Sequence, residues 1–450
     1  MTHRKNEGVG LSKAVRRFIV RFLSVVVFAN SISAFAAEPV PPKPNPAEPV
    51  NYVEWINKTF GGVQSNAYAD YKSAAELWKP FDGDLSAAIS GPWGRNEPVA
   101  NWLKANQPAM EKFRAASAKT GCYFPLEPGK PTSDARTNLC LLFADQAAMT
   151  LHRDAFHALI AQGYQAWGKG DEKTLRANAL LLLRSVRHLD ASPLLLRRLM
   201  ANKVAAGAHE ALRKAIKLTE DPEAFAQALV EDLAKADPPQ SSLQRTMNME
   251  RLHVSDLCQR LFVPGKEPGT WTLYDPVFNE LTKMGLFEAN DKSELVRFGF
   301  DETLRELNAH FDQADKWLGT PFPSVTDGAS ELARLGTQSK NPFSKKVLPS
   351  FDRARVLHEH CAASRSATFL IAHLFIYRAK SKEFPASLDK LQGSGIAQLK
   401  IDPFSGRDFV YRKQDDGFLL YSVSTNMKDD GGKHDPQMKD VDFAYWPVPK

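Results

Sequence analysis

Eleven histidines are the first place to look for metal or acid–base chemistry. His358-Glu359-His360 is the densest cluster. On a helix, residues i and i+2 point about 200° apart, so these two imidazoles cannot share a metal. The spacing also differs from the helical HExxH pattern of zinc hydrolases. His360 falls on an apolar stripe, which favours a hydrogen-bonded core histidine. His152 and His157 are five apart, with Asp154 between them on a third direction. His209-Glu210 and His310 stand alone and are expected to face solvent or to cap helices. Asp82 and Asp84 flank Gly83; paired carboxylates could serve glycoside hydrolysis, but the same spacing makes a solvated turn. Trp55, Tyr68, Tyr71, Trp78, Trp93 and Trp102 could line a carbohydrate or peptide groove, or pack as core. The sequence carries no GxSxG elbow, phosphate loop, GxGxxG or zinc-type Cys/His spacing, so no catalytic residue is assigned.

Four cysteines are present. Cys122 and Cys140 bracket a stretch rich in Pro, Gly and Ser, and are a candidate disulfide in an exported chain. Cys258 and Cys361 lie in helical patterns and read as buried small hydrophobes.

The N-terminus reads as an export signal over residues 1–36. Arg4, Lys5, Lys13, Arg16, Arg17 and Arg21 form a basic region, Phe22 to Phe35 is largely apolar, and Ala34-Phe35-Ala36 supplies a small-x-small cleavage pattern. About fifteen apolar residues are short for a bilayer span, so no stable membrane span is expected after cleavage. The whole chain carries 58 basic and 52 acidic residues. Setting the signal aside leaves a charge near zero, and with it no electrostatic reason to expect nucleic acid as a partner. Residues 37–49 form a proline-rich linker, expected to be extended and unpacked.

The elements that must position any site follow from periodicity. Helices are expected at 50–58, 66–78 and 96–118, within an aromatic-rich lobe reaching to about 131. Leu141, Ala144, Ala148, Leu151, Ala155 and Leu159 form one stripe, closed by Gly168 and Gly170. Leu175, Ala179, Leu182, Val186 and Leu189 form a second. Ser192-Pro193 and Asp221-Pro222 have the form of an N-cap followed by proline at the first helical position. Asp275-Pro276 opens a short helix, and Asp291 with Glu294 has capping-box spacing for a helix reaching about Trp317. After a proline-rich stretch at 320–350, Val356, His360, Ala363, Ala367, Leu370, Leu374 and Tyr377 mark one face of a long helix. The period then falls to two at Phe409 and Tyr411, at Phe418, Leu420 and Ser422, and at Val441, Phe443 and Tyr445, with Asp416-Gly417 as a hairpin turn. The expected fold is mainly α: an irregular helical bundle or hairpin array over 50–345, then a small α+β domain over 346–450, a long helix plus a three-stranded antiparallel sheet.

The last hundred residues carry an ordered set of features: Phe384-Pro385, Asp402-Pro403-Phe404, Tyr411, Tyr421-Ser422, Asp429-Asp430-Gly431-Gly432 and Asp440-Val441. In this order they resemble the globular domain of type II secretion major pseudopilins. The overall layout also looks like uncharacterised exported proteins of planctomycete-type bacteria. The pseudopilin resemblance implies a calcium-binding loop, with Asn426, Asp429, Asp430 and Asp440 as the matching ligands; calcium takes six to eight oxygens and the glycines let the loop curl. Ser424 stands where that family has Gly, and Asn426 where it has Asp. The apolar N-terminal spike through which pilins polymerise does not precede Phe351, so the resemblance carries the fold and not filament assembly. The expected function is that of a non-enzymatic interaction or scaffold protein, exported to the periplasm, cell surface or medium and engaging a protein or cell-envelope component. An exported hydrolase with an active site assembled from distant helices is the alternative.

Overall fold

The computed structural model describes residues 39–449 except 129–133, 145–147, 192–193, 238–241, 323–331, 333–337, 349–350, 394 and 437–440. The expected signal, the Ser192-Pro193 cap and Asp440 lie outside the described residues. In chain order the helices and strands are α1 (Tyr52–Phe60), α2 (Tyr68–Leu77), α3 (Ser86–Ser90), α4 (Glu97–Ala105), α5 (Gln107–Ala118), α6 (Ala135–Asn138), α7 (Ala148–Trp167), α8 (Lys173–Asp190), α9 (Leu195–Leu218), α10 (Pro222–Ala236) and α11 (Leu243–Leu261). They continue as β1 (Phe262–Pro264), β2 (Trp271–Leu273), α12 (Asp275–Lys283), α13 (Asp291–Gly319), α14 (Pro342–Val347), α15 (Asp352–Ser381), α16 (Ile396–Leu399), β3 (Val410–Lys413), β4 (Phe418–Ser422) and β5 (Phe443–Trp446). The protein is therefore mainly helical with a small C-terminal antiparallel sheet in the order β3-β4-β5.

The local reasons for these elements are visible. Asp221 caps α10, its carboxylate accepting from the Ala224 N–H at 3.0 Å, with Pro222 in the first turn. The expected helix over 96–118 is instead two helices broken at Asn106. Pro108 cannot donate to a preceding turn, and the Asn106 amide turns back to bond both the N–H and the C=O of Lys79, at 2.8 and 3.0 Å. The stripe beginning at Leu141 is likewise shared between a short 3-10 turn at Leu141–Phe143 and α7. Leu141 serves a small core with Tyr52, whereas Leu151, Ala155 and Leu159 serve the main one. Gly163 lets α7 meet α8, since a Cβ there would lie 2.6 Å from a Leu175 methyl.

Asp291 does not form a capping box. Its carboxylate accepts from the Glu288 N–H at 2.7 Å and from Lys346 Nζ at 2.6 Å, while Glu294 pairs with Arg297. The helix it opens is kinked at Gly299, whose φ of 68° and ψ of −178° suit glycine and whose missing side chain makes room for the Trp271 indole.

Two further expectations change. The proline-rich segment is not an unpacked tether: the Gln259 amide accepts from the Asn45 and Val50 N–H groups, at 2.9 and 3.0 Å, and donates to the Val50 carbonyl at 2.9 Å. Arg136 donates to the carbonyls of Pro46, Gln259, Arg260 and Phe262 at 2.5–2.9 Å, binding the strap to the C-terminal end of α11. Cys122 and Cys140 are not joined by a disulfide. Cys122 packs in the main core and Cys140 in a second core built on α11, α12 and α13.

The main core runs without interruption from α2 and α5 through α7–α10 into α15 and the sheet. The long C-terminal helix is thus shared, with α9 and α10 on one side and β4 and β5 on the other. Arg213 of α9 links the parts: buried, it donates to the Ser364 carbonyl and hydroxyl and to the Thr368 hydroxyl at 2.9–3.1 Å, and its guanidinium lies 5.1 Å from the centre of the Tyr445 ring. The Asp402-Pro403-Phe404 turn is pinned to β4, because the Asp402 carboxylate accepts from the Ser422 hydroxyl at 2.9 Å and from the Phe404 N–H at 3.1 Å. Tyr411 donates to the Pro385 carbonyl at 2.7 Å and fixes the Phe384-Pro385 turn.

Candidate ligand-binding cleft

A cleft of about 330 Å³ opens between α2, the extended chain after α5, and the first turns of α7 and α9. Helical spacing puts Tyr68, Tyr71, Lys72, Ala75 and Glu76 on one face of α2, and these form one wall. Phe124, Pro125 and Glu127 form the opposite wall, and Leu151 and Arg197 line the cavity between them. The extended wall is held by two asparagines. Asn57 accepts from the Leu126 N–H and the Tyr123 hydroxyl and donates to the Leu126 carbonyl, at 2.7–2.9 Å. Asn66 accepts from the N–H groups of Tyr68 and Tyr123, both at 3.0 Å, joining the start of α2 to that wall. A short loop with little ladder bonding is in this way made rigid by side chains.

The polar groups are unequal in depth. Arg197 is 1% exposed. It donates to the Phe124 carbonyl at 2.9 Å and lies 5.4 Å from the Phe124 ring centre. Burial lowers its pKa to about 10, which leaves it charged at neutral pH. Lys72, Glu76 and Glu127 are exposed at the rim, and Glu127 accepts from the Tyr68 hydroxyl at 2.9 Å. The Tyr71 hydroxyl is turned into the core, 2.9 Å from His188 Nδ1 and 3.3 Å from Ser117 Oγ. His188 Nε2 lies 3.1 Å from the Lys119 carbonyl, so Nε2 carries the proton and Nδ1 accepts from Tyr71. Burial holds this imidazole neutral and raises the Tyr71 phenol. The pair therefore works as a structural pin beneath the cleft. His152 sits inside a box of rings, with centroids of Tyr71, Phe113 and Phe124 at 4.9–5.8 Å.

Of the aromatic residues singled out in the sequence, Tyr68 and Tyr71 line the cleft. Trp78 and Trp102 pack edge to face at 6.3 Å, Trp93 donates to the Ala88 carbonyl, and Trp55 meets Phe60. Asp84 is an exposed turn residue accepting from the N–H and hydroxyl of Ser86, both at 2.8 Å. His360 lies against the sheet, 4.4 Å from Phe443 between ring centres, and burial takes its pKa down to about 3. His358 points elsewhere and falls to about 4, again through burial. Glu359 rises to about 7 for the same reason, with Arg355 3.7 Å away. His209 and His310, expected to face solvent or to cap helices, are instead buried; His209 Nε2 is 3.2 Å from Asp237, and the His310 ring centre lies 6.0 Å from that of Phe351. Phe124, Leu151 and Arg197 come from distant segments; Leu151 lies on the expected apolar stripe, whereas nothing in the sequence sets Phe124 or Arg197 apart.

The acidic loop is largely satisfied by its own chain. Asp429 accepts from the Tyr421 hydroxyl at 2.5 Å, from Arg412 at 2.7 Å and from the Gly431 N–H at 3.0 Å. Asn426 donates to Asp430 at 2.7 Å. Asp442, which sequence matching did not single out, is buried; one carboxylate oxygen accepts from the Gly432 N–H at 2.6 Å and the other has no hydrogen bond among the described residues. Among the described residues the Ser424 hydroxyl is likewise buried without a hydrogen bond. Among the described residues no three His, Cys, Asp or Glu side chains converge as a metal centre. Nor is any described helix long and apolar enough to cross a membrane.

Comparison of the chain with protein-family models, with curated proteins and with solved structures finds no match. Among the described residues the cleft offers aromatic faces for a flat or apolar group, a buried arginine side chain, and rim charges of both signs.

Proposed function

We propose that this chain is an exported, non-enzymatic interaction protein of the bacterial cell envelope, with the α2–α9 cleft as its binding site. The observation that carries this reading is the cleft itself: a preformed concave site walled by Tyr68, Tyr71 and Phe124, with few and well-placed polar groups. The histidines near it are engaged in packing and pinning, which supports binding over hydrolysis. The basic and apolar N-terminal pattern supports export. Saturation-transfer NMR with a panel of small aromatic amides and methyl glycosides tests the site. Panel members should contact the wild-type protein and lose that contact in Tyr68→Ala, with circular dichroism verifying that the variant keeps the fold. Ligands that bind equally to the variant, or a panel with no binders, would overturn the reading.

Calcium in the C-terminal loop is a second proposal, resting on the pseudopilin resemblance and on the poorly satisfied Asp442 and Ser424 oxygens. Millimolar calcium should raise the melting temperature of the full chain, and Asp430→Asn should abolish the rise. An equal rise in the variant would remove the site.

A further inference from the structure

We infer that His209, Asp237 and Arg365 form an acid-released clasp, which holds the C-terminal end of α10 against α9 and α15 at neutral pH and lets that end open as the medium becomes acidic.

The clasp sits where the three helices meet. Asp237 follows the last turn of α10, its N–H donating to the Leu233 carbonyl at 2.9 Å. Arg365 of α15 reaches it twice: Nη2 donates to the Asp237 carbonyl at 2.9 Å, and Nε lies 2.9 Å from the carboxylate. A cation at a helix C-terminus also meets the negative end of the helix dipole. His209 of α9, 1% exposed, brings Nε2 to 3.2 Å from the same carboxylate oxygen. Nε2 therefore carries the proton, and Nδ1 is left enclosed with no hydrogen bond among the described residues.

Protonating His209 would put a second N–H and a full charge at that enclosed nitrogen, where no described acceptor meets it. Among the described residues the charged groups facing the ring are Asp237 at the end of α10, Arg365 on α15, and Arg213 one turn along α9. Asp237 favours the charge and the two arginines oppose it, Arg213 being fixed in place by the Ser364 and Thr368 hydroxyls. Burial has the largest effect and, with the two cations, outweighs Asp237, so the closed clasp holds this imidazole below its ordinary 6.5. Once the end of α10 swings out and water enters, the imidazole titrates normally. The opened form then binds more protons as pH falls, so the clasp is fully effective above about 6.5 and weakens below it. Leu233 and Ala236 are buried at this end of α10, so opening bares an apolar surface in acid that is covered at neutral pH.

Hydrogen exchange of the full chain at pH 7.5 and pH 5.0 tests the clasp, read by mass spectrometry on peptides covering residues 229–237 and corrected for the intrinsic pH dependence of the rate. Opening should rise about threefold or more in acid; an imidazole that titrates only when exposed sets a ceiling of about thirtyfold at pH 5.0. His209→Gln keeps an N–H donor near the Nε2 position and cannot be charged, so its opening should change by less than about twofold. NMR of the chain labelled with 15N-histidine, with the His209 signals identified by their absence in His209→Gln, should find His209 titrating below 6.5 and moving upward in Arg365→Gln. Equal acid acceleration in wild type and His209→Gln, or none in wild type, would overturn the clasp. So would a wild-type His209 that titrates above 6.5, or one unmoved by Arg365→Gln.

Discussion

The Gln259 side chain offers the sharpest test of how the N-terminal strap is held. Its oxygen accepts two backbone N–H groups, those of Asn45 and Val50, and its nitrogen donates to the Val50 carbonyl and to Asp256 at 2.8 Å. Replacing Gln259 with Leu keeps similar volume and removes all four bonds. At a net ~1 kcal/mol each, the ceiling is about 4 kcal/mol. The strap is half-open to water and can rehydrate its freed groups, which reduces the local loss to about 2 kcal/mol. Tyr52, donating to Pro42 at 2.6 Å, and Arg136 continue to hold the neighbouring turns. A 2 kcal/mol loss corresponds to roughly thirtyfold faster opening. Hydrogen exchange read by mass spectrometry on peptides covering residues 39–52 should show that acceleration at Asn45 and Val50, with α9 unchanged. Gln259→Glu should do at least as much harm, because a carboxylate would face both the Val50 carbonyl and the buried Asp256. Wild-type exchange over 39–50 at the rate of an unstructured chain would refute the docked strap, as would an unaltered rate in Gln259→Leu.

Other expectations follow from the same geometry. Burial raises the Glu359 carboxyl from 4.5 to about 7, so the folded state holds this proton more tightly than the unfolded chain does. That contribution is present at low pH and is lost as pH rises through about 4.5 to 7. The stability of Glu359→Gln relative to wild type should climb across this window by on the order of 2–3 kcal/mol in denaturant titrations. The variant comparison is needed because His358 and His360, with lowered pKa values, push in the opposite direction below their ordinary range. Gly299→Ala forces a side chain into a backbone region that suits glycine and places Cβ 2.5 Å from the Trp271 ring. It should cost about 2–3 kcal/mol by chemical denaturation. Tyr71→Phe removes the bond to His188 and should cost about 1 kcal/mol while leaving ligand binding in the cleft unchanged, since the hydroxyl faces the core.

The helical array and the terminal sheet could be read from the sequence because their periods are strong and locally determined. Asp221-Pro222, Asp275-Pro276 and the Asp416-Gly417 hairpin each act within a few residues of themselves. The misread features depend on partners far along the chain. Asn106 breaks a helix because Lys79 is there to receive its amide, and Gly299 kinks one because Trp271 needs the space. The proline-rich strap docks because Gln259 and Arg136, more than eighty residues away, collect its backbone groups. The cleft was half legible. Tyr68 and Tyr71 share a helix face and could be grouped by spacing, whereas Phe124, Leu151 and Arg197 come together only when α7 and α9 pack against α2. A buried arginine looks, in sequence, like any other charge near the start of a helix.

The most direct test of the binding cleft is fluorine NMR of the full chain labelled with 3-fluorotyrosine, each resonance assigned by single Tyr→Phe changes. Titration with 3-phenylpropanamide, a small aromatic amide, should shift Tyr68 and Tyr71 in parallel and saturably, and leave Tyr421 and Tyr445 of the sheet unmoved. Shifts confined to the sheet tyrosines, or none at saturating ligand, would contradict the account.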